Sequence, residues 1–321
     1  MHGLRQDRNP VYVSWMIPSI RPQLRKGETL YGSIVSLPSP AVAEILSEAG
    51  YDWLFIDAEH GALDLGHLTQ ILQAVGHRIP CIVRVPVAEE ASIKRVLDLG
   101  ASGIIAPQVN SSSHAARVIR QARYAPMGHR GVGIGRAHGY GAQFTDYLQY
   151  ANERISVILQ VEHIDAVQAL ETTLECTGMD AILLGPYDLA ASMGRMGQVD
   201  HPEVTQAIDH VIETCHAHKM PVGYFGIDAK AVAPYRKKAA NFWSPEPTVY
   251  FSWRLPGARV EPFAKINQPP EARNAGPDRE RACQLRFDGI KTSSMPEDGL
   301  GDKQSSSFAG KGMRTRLELG L

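Results

Sequence analysis

Four cysteines in 321 residues, Cys81, Cys176, Cys215 and Cys283, form no CxxC pair and no zinc-ligand spacing, which argues against a disulfide framework or a structural zinc. Cys81 lies in an apolar run and reads as a packed, reduced thiol. A charge excess is also missing, since 33 Lys and Arg balance 34 Asp and Glu. No global field therefore points to nucleic acid or an anionic membrane, and a small-molecule or protein partner is expected. Neither a signal-peptide-like run nor an apolar stretch of membrane-spanning length occurs, so a soluble, cytoplasmic protein is expected.

What is present is alternation. "LYGSIVS" (30–36), "WLFID" (53–57), "PCIVRV" (80–85), "GIIAP" (103–107), "ISVILQVE" (155–162), "DAILLG" (180–185) and "PVGYFG" (221–226) read as strands. Between them, segments 39–50, 65–76, 90–100, 112–123, 165–175 and 203–218 repeat apolar residues every three to four positions and read as helices. Nearly continuous apolar strands between amphipathic helices indicate a parallel sheet with helices outside it. Without a glycine-rich phosphate loop after the first strand, a (β/α)8 TIM barrel is favoured over an open doubly wound sheet. The stretch "GHRGVGIGRAHGYG" (128–141) follows no predicted strand and opens no helix. It reads as a flexible or active-site loop rather than a nucleotide site.

In a parallel barrel, chemistry collects at the carboxyl ends of the strands. Those ends carry Asp57, Glu59 and His60, then Arg84, Gln108, Gln160, Glu162 and Asp188. Glu162 and Asp188 lie one βα unit apart, so they top adjacent strands. Two converging carboxylates call for a shared proton or a hard divalent cation such as Mg2+, Mn2+ or Co2+. The structural alternative is that Asp188 caps its helix and Glu162 pairs with a basic neighbour. Arg84, inside a buried strand, needs an anionic partner, either a substrate carboxylate or a structural one. His60 follows Asp57 by three residues, close enough for the acid to fix its tautomer; alone it would read as an ordinary loop histidine.

The segments "AEILSEAGYDWLFIDAEHG", "VRVP", "IKRVLDLGASGIIAPQV", "ARYAPMGHRGVG", "ILQVE" and "LLGPYDLAASMG" together resemble the metal-dependent class II pyruvate aldolases of the HpcH/HpaI type. The resemblance spans about residues 30–235. It implies Glu162 and Asp188 as metal ligands, His60 and Asp57 as a catalytic dyad, and Arg84, Gln160, Gly185 and Pro186 as substrate-binding residues. It implies Asp98 as a residue that reaches a neighbouring subunit's active site in a homo-oligomer, commonly a hexamer. The implied reaction is reversible aldol cleavage of a 2-oxo acid to pyruvate, or a close relative, and an aldehyde. Macrophomate synthase belongs to the same branch, which adds oxaloacetate decarboxylation as an implied activity. Tyr187 stands where the family often has a small residue and bears on pocket size.

After residue 236 the pattern stops. The expected organisation is an extension (1–29), a barrel domain (30–236) and a tail (237–321) without sustained period, which reads as disordered. An eighth strand and final helix are expected to be missing or aberrant, leaving open edges on the first and seventh strands. A shifted reading frame or mispredicted exon from about residues 236–241 would explain the break. A catalytically silent product of that altered end, or an acyl-thioester lyase of the citrate-lyase type, are the competing functional readings.

Overall fold

The structure, a computed structural model, describes residues 17–227, 231–232, 234–235 and 248–252. All of them belong to one unit, Met1–Ile266. Eight strands pair in parallel: β1 (Leu30–Val35), β2 (Trp53–Asp57), β3 (Cys81–Arg84), β4 (Gly103–Ala106), β5 (Ser156–Val161), β6 (Ala181–Leu184), β7 (Val222–Gly226) and β8 (Thr248–Ser252). They follow chain order, as the sequence predicts for a parallel barrel, and the barrel is closed.

The missing eighth strand is corrected. β8 pairs with β7 through Phe225↔Phe251 and with β1 through Leu30↔Val249, so neither neighbour is left with an open edge. The physical reason is local: Thr248, Val249, Tyr250 and Phe251 are β-branched and aromatic, a strand-forming run framed by Pro247 and Pro256. The barrel thus reaches past residue 236. The expected loss of the final helix, and the remainder of the tail with its expected disorder and shifted frame, concern residues outside the described ones.

The helices are α1 (Arg21–Arg25), α2 (Pro40–Ser47), α3 (Leu65–Val75), α4 (Glu90–Asp98), α5 (Ser112–Ala122), α6 (Phe144–Arg154), α7 (Ile164–Gln168), α8 (Leu170–Leu174), α9 (Pro186–Ser192) and α10 (Pro202–Ala217). Caps set several starts: the Asp64 carboxylate accepts from the His67 backbone N–H at 2.8 Å, and Ser111 Oγ accepts from His114 at 3.3 Å. The single helix expected over 165–175 is broken at Ala169 into α7 and α8. No helix among the described residues is long and apolar enough to cross a membrane.

Two apolar layers result from the strand period. Outward residues such as Leu54, Ile56, Val83, Ile104 and Leu159 pack under the helices. Inward residues Trp53, Phe55, Ile82, Ile105, Ile158 and Leu183 fill the barrel, with Ile20 and Leu24 of the α1 region packed against them. Gly32 on β1 is required because a Cβ there would stand 2.7 Å from the Trp53 indole.

At the amino-terminal end of β6, Asp180 accepts from Arg21 and from Arg123, the latter at 2.6 Å, and from the Val157 backbone N–H at 2.8 Å. This buried triad ties α1 and α5 to the sheet. Replacing Asp180 with Ala leaves two buried guanidiniums short of a counter-charge. The expected loss is about 3 kcal/mol or more of unfolding free energy, read by urea denaturation.

Candidate active site

The strand period of two carries the interior stripe up to the barrel's carboxyl-terminal mouth, where its residues turn polar. Trp53 and Phe55 lead to Asp57, Ile82 leads to Arg84, Ile158 leads to Gln160 and Glu162, and Leu183 leads to Gly185. The polar residues are therefore the uppermost layer of the same interior packing. The Arg84 guanidinium rests 5.1 Å above the Phe55 ring centroid, on the apolar layer below.

Asp57 and Arg84 are direct partners across the β2–β3 ladder. Arg84 Nε donates to Asp57 Oδ1 at 2.9 Å and Nη2 donates to Oδ2 at 2.7 Å, a bidentate pair between buried side chains. Of the two partners that the sequence leaves open for Arg84, the structure shows the protein carboxylate. Asp57 Oδ1 also accepts the backbone N–H groups of Glu59 at 3.1 Å and His60 at 3.3 Å, which closes the turn after β2. Burial alone would raise the Asp57 carboxyl, but the Arg84 hydrogen bonds and charge, with the two backbone donors, outweigh it and hold the group below its ordinary range.

Glu162, 2% exposed, accepts from the Gln108 backbone N–H at 2.8 Å and from the Gln160 side-chain amide. Gln108 turns that N–H inward from a left-handed backbone, φ 53°, unusual for a non-glycine residue. Gly185 makes room beside them: a Cβ there would stand 2.9 Å from the Glu162 Cβ and 3.0 Å from Gln160 Nε2. Pro186 then opens α9, which carries exposed Asp188 in its first turn. Burial, followed by the charges of Glu59 and Asp188, pushes the Glu162 carboxyl up to about 7 against the opposing pull of the Gln108 donor and Arg84. Glu59 is raised as well, first by burial and then by the charges of Asp57 and Asp188, with Arg84 and His60 pulling the other way.

The structure thus gathers Asp57, Arg84, Gln160, Glu162, Gly185, Pro186, Asp188 and His60 at one mouth. It departs from the sequence reading at two points, the Asp57–His60 contact and the glycine-rich stretch. Asp57 meets His60 through the backbone N–H, because its oxygens are taken by Arg84 and the turn; the His60 imidazole lies 3.7 Å from Glu59 Oε2 instead. Asp98 closes α4, and the end of a barrel helix sits at the opposite end from the strands' carboxyl termini. There it accepts from Arg130 Nη2 at 2.6 Å. The glycine-rich stretch is at that far end too, with Arg136 donating to Leu72 O and Leu99 O, both at 2.9 Å. It seals the ends of α3 and α4, away from this chain's own mouth. Glu59, to which the sequence assigned no role, joins the cluster; its place two residues after Asp57 was the available signal.

Residues 31–245 match the family model for the HpcH/HpaI aldolase/citrate lyase. The chain is 37% identical over 231 residues to a hydroxypyruvate/pyruvate aldolase of Paraburkholderia phytofirmans, covering 70% of this chain and 88% of that protein. It is 40% identical over 203 residues to a 4-hydroxy-2-oxovalerate aldolase of Rhodococcus jostii, covering 63% and 78%. Among solved structures, an HpcH/HpaI aldolase/citrate lyase family protein from Burkholderia cenocepacia superposes with a TM-score of 0.67 at 33% identity, covering 83% of this chain and 98% of that one. Family match, relatives and closed barrel agree with the resemblance carried by the sequence motifs: the chain belongs to the HpcH/HpaI aldolase/citrate lyase family and is a carbon–carbon lyase of the aldolase type.

Proposed function

We propose that the protein catalyses divalent-metal-dependent aldol cleavage and condensation of 4-hydroxy-2-oxo acids, interconverting them with pyruvate or a close 2-oxo acid and an aldehyde. One observation carries this reading: Asp57, Glu59, Glu162 and Asp188 gather at one mouth, where Arg84 offsets the first three, and burial with the neighbouring acids pushes Glu162 up to about 7. Such an excess of negative charge favours a cation. The names of the relatives, hydroxypyruvate/pyruvate aldolase and 4-hydroxy-2-oxovalerate aldolase, support the substrate class.

The donor set fits a hard dication. Glu162 and Asp188 supply carboxylate oxygens, and the buried Gln160 Oε1 has no hydrogen-bond partner. Among the described residues no three His, Cys, Asp or Glu side chains form a metal cluster. Two carboxylates with positions left for water and substrate are what Mg2+ or Mn2+ uses in such sites. When bound, the ion supplies Lewis-acid stabilisation of negative charge on the 2-oxo acid.

The chain's own residues do the rest. With Nε and Nη2 on Asp57, Arg84 offers its Nη1 edge to the substrate carboxylate. Gly185 keeps the wall beside Glu162 free of side-chain bulk, and Pro186 starts α9 directly after it. His60, whose side chain is 65% exposed, stands at the entrance and acts directly or through water. In cleavage it takes the proton of the 4-hydroxyl, the C3–C4 electron pair passes to the 2-oxo acid as its enolate, and the aldehyde leaves. Oxaloacetate decarboxylation generates the same enolate and is a compatible side activity. Asp98 lies too far down its own barrel to serve this mouth, which supports an oligomer, a hexamer by resemblance, in which it serves a neighbour. The free thiols Cys81, Cys176 and Cys215 support a reducing compartment such as the cytoplasm.

Pyruvate release from a 4-hydroxy-2-oxo acid is expected to stop on chelation and return with Mg2+ or Mn2+. Glu162→Ala should lower it by at least about 100-fold; activity indifferent to both would refute the reading. A raised carboxyl favours the folded state while protonated. Relative to Glu162→Gln, the metal-free protein should therefore lose stability as pH rises from about 4.5 to about 7. The rise in Tm on adding Mg2+ should grow over the same interval, as followed by thermal melts.

A further inference from the structure

We infer that His138 is an acid-sensitive latch. As a neutral ring it docks α6 and the 3-10 turn Arg136–Gly141 onto the amino-terminal rim of the barrel, and taking up a proton releases them. The device lies at the far end from the mouth and stands whether or not the aldolase reading does.

His138 is fully buried in a box of aromatic rings. Its imidazole meets the Tyr147 ring edge-on at 4.5 Å between centroids and the Phe144 ring at 5.5 Å, both on α6. Nε2 lies 3.4 Å from the hydroxyl of Tyr124, which follows α5. Nδ1 is buried and has no hydrogen-bond partner. Two charged groups act on the ring. One is Arg130, whose guanidinium covers the Tyr124 ring at 4.5 Å and the Tyr147 ring at 5.8 Å. The other is Asp98 at the end of α4, which Arg130 already holds at 2.6 Å.

A neutral imidazole fits this box, since one nitrogen shares a hydrogen with the Tyr124 hydroxyl and the other is left bare. The imidazolium does not fit. It carries two N–H donors, finds one acceptor, and sets a second cation beside Arg130 away from water. Burial, followed by the Arg130 charge, accordingly holds the ring below the ordinary histidine range against a smaller opposing pull from Asp98. Once the segment opens, the ring titrates as an ordinary histidine, at about 6.5. The opened state then binds more protons than the docked one, so docking weakens as pH falls below that value. Little else holds α6: Ala151 is its one buried residue, with Tyr147 and Leu148 partly buried against the core. The stretch that yields is therefore α6 with the turn before it.

The test is hydrogen–deuterium exchange of the full-length protein, followed by mass spectrometry at about pH 7.5 and about pH 5.5 and corrected for the intrinsic pH dependence of amide exchange. Peptides within residues 136–151 are expected to lose about tenfold in protection at the lower pH, the ratio by which an ordinary histidine gains protons one unit below its pKa. Peptides from β2 to β5 should keep theirs. A local readout is needed because protonation of Glu162 over an overlapping interval stabilises the fold as pH falls, the opposite sign. His138→Phe, which keeps a ring in the box and cannot titrate, should show equal protection at both pH values. His138→Gln takes its place should the first variant prove unfolded by circular dichroism. Wild-type protection that is the same at both pH values, or an acid-induced loss that persists in the substituted protein, overturns the inference.

Discussion

Electrostatic imbalance at the barrel mouth is the constraint on which the site depends. Asp57, Glu59, Glu162 and Asp188 interact there around Arg84. A folded chain tolerates such an arrangement only by neutralising acids with protons, hydrogen-bonding them, or binding positive charge. Asp57 takes the second route and is held ionised. Glu162, despite its two donors, is left to the first or the third. The same imbalance explains why a group of ordinary carboxylates becomes a place for a dication and for moving protons.

That arrangement is held by the frame beneath it. Asp57 and Arg84 face each other because β2 and β3 pair in a register that puts their last residues side by side. Phe55 supports the guanidinium from below. Gln160 and Glu162 share the inward face at the end of β5, and Gly185, just past β6, is small enough for both to approach. Each contact is a consequence of a two-residue period meeting a fixed register. The chemistry is thus built on strands and short turns, which position side chains more rigidly than long loops do.

Most of the frame was legible because strands buried on both faces leave nearly unbroken apolar runs, and polar interruptions such as Arg84 and Gln160 stand out within them. α6 was missed, although Phe144, Tyr147, Leu148 and Ala151 keep helical spacing, because it follows the glycine-rich stretch with no strand between. β8 was missed because its five residues lie between prolines in a segment of tail-like composition. At the site, the positions of the acids were readable and their pairings were not. Spacing placed Asp57 within reach of His60 but could not show that Arg84 and two backbone donors already hold its oxygens. Nor could it tell that the glycine-rich stretch passes beneath the barrel, a matter of which helix ends its arginines find.

β8 joins its neighbours through main-chain groups, which every residue but proline can supply. The last stave of the barrel closes the ring through its backbone, whereas the acids at the mouth stand at the ends of β2 and β5 and in the first turn of α9. Closure of the ring and reactivity at its mouth are thus carried by different stretches of chain.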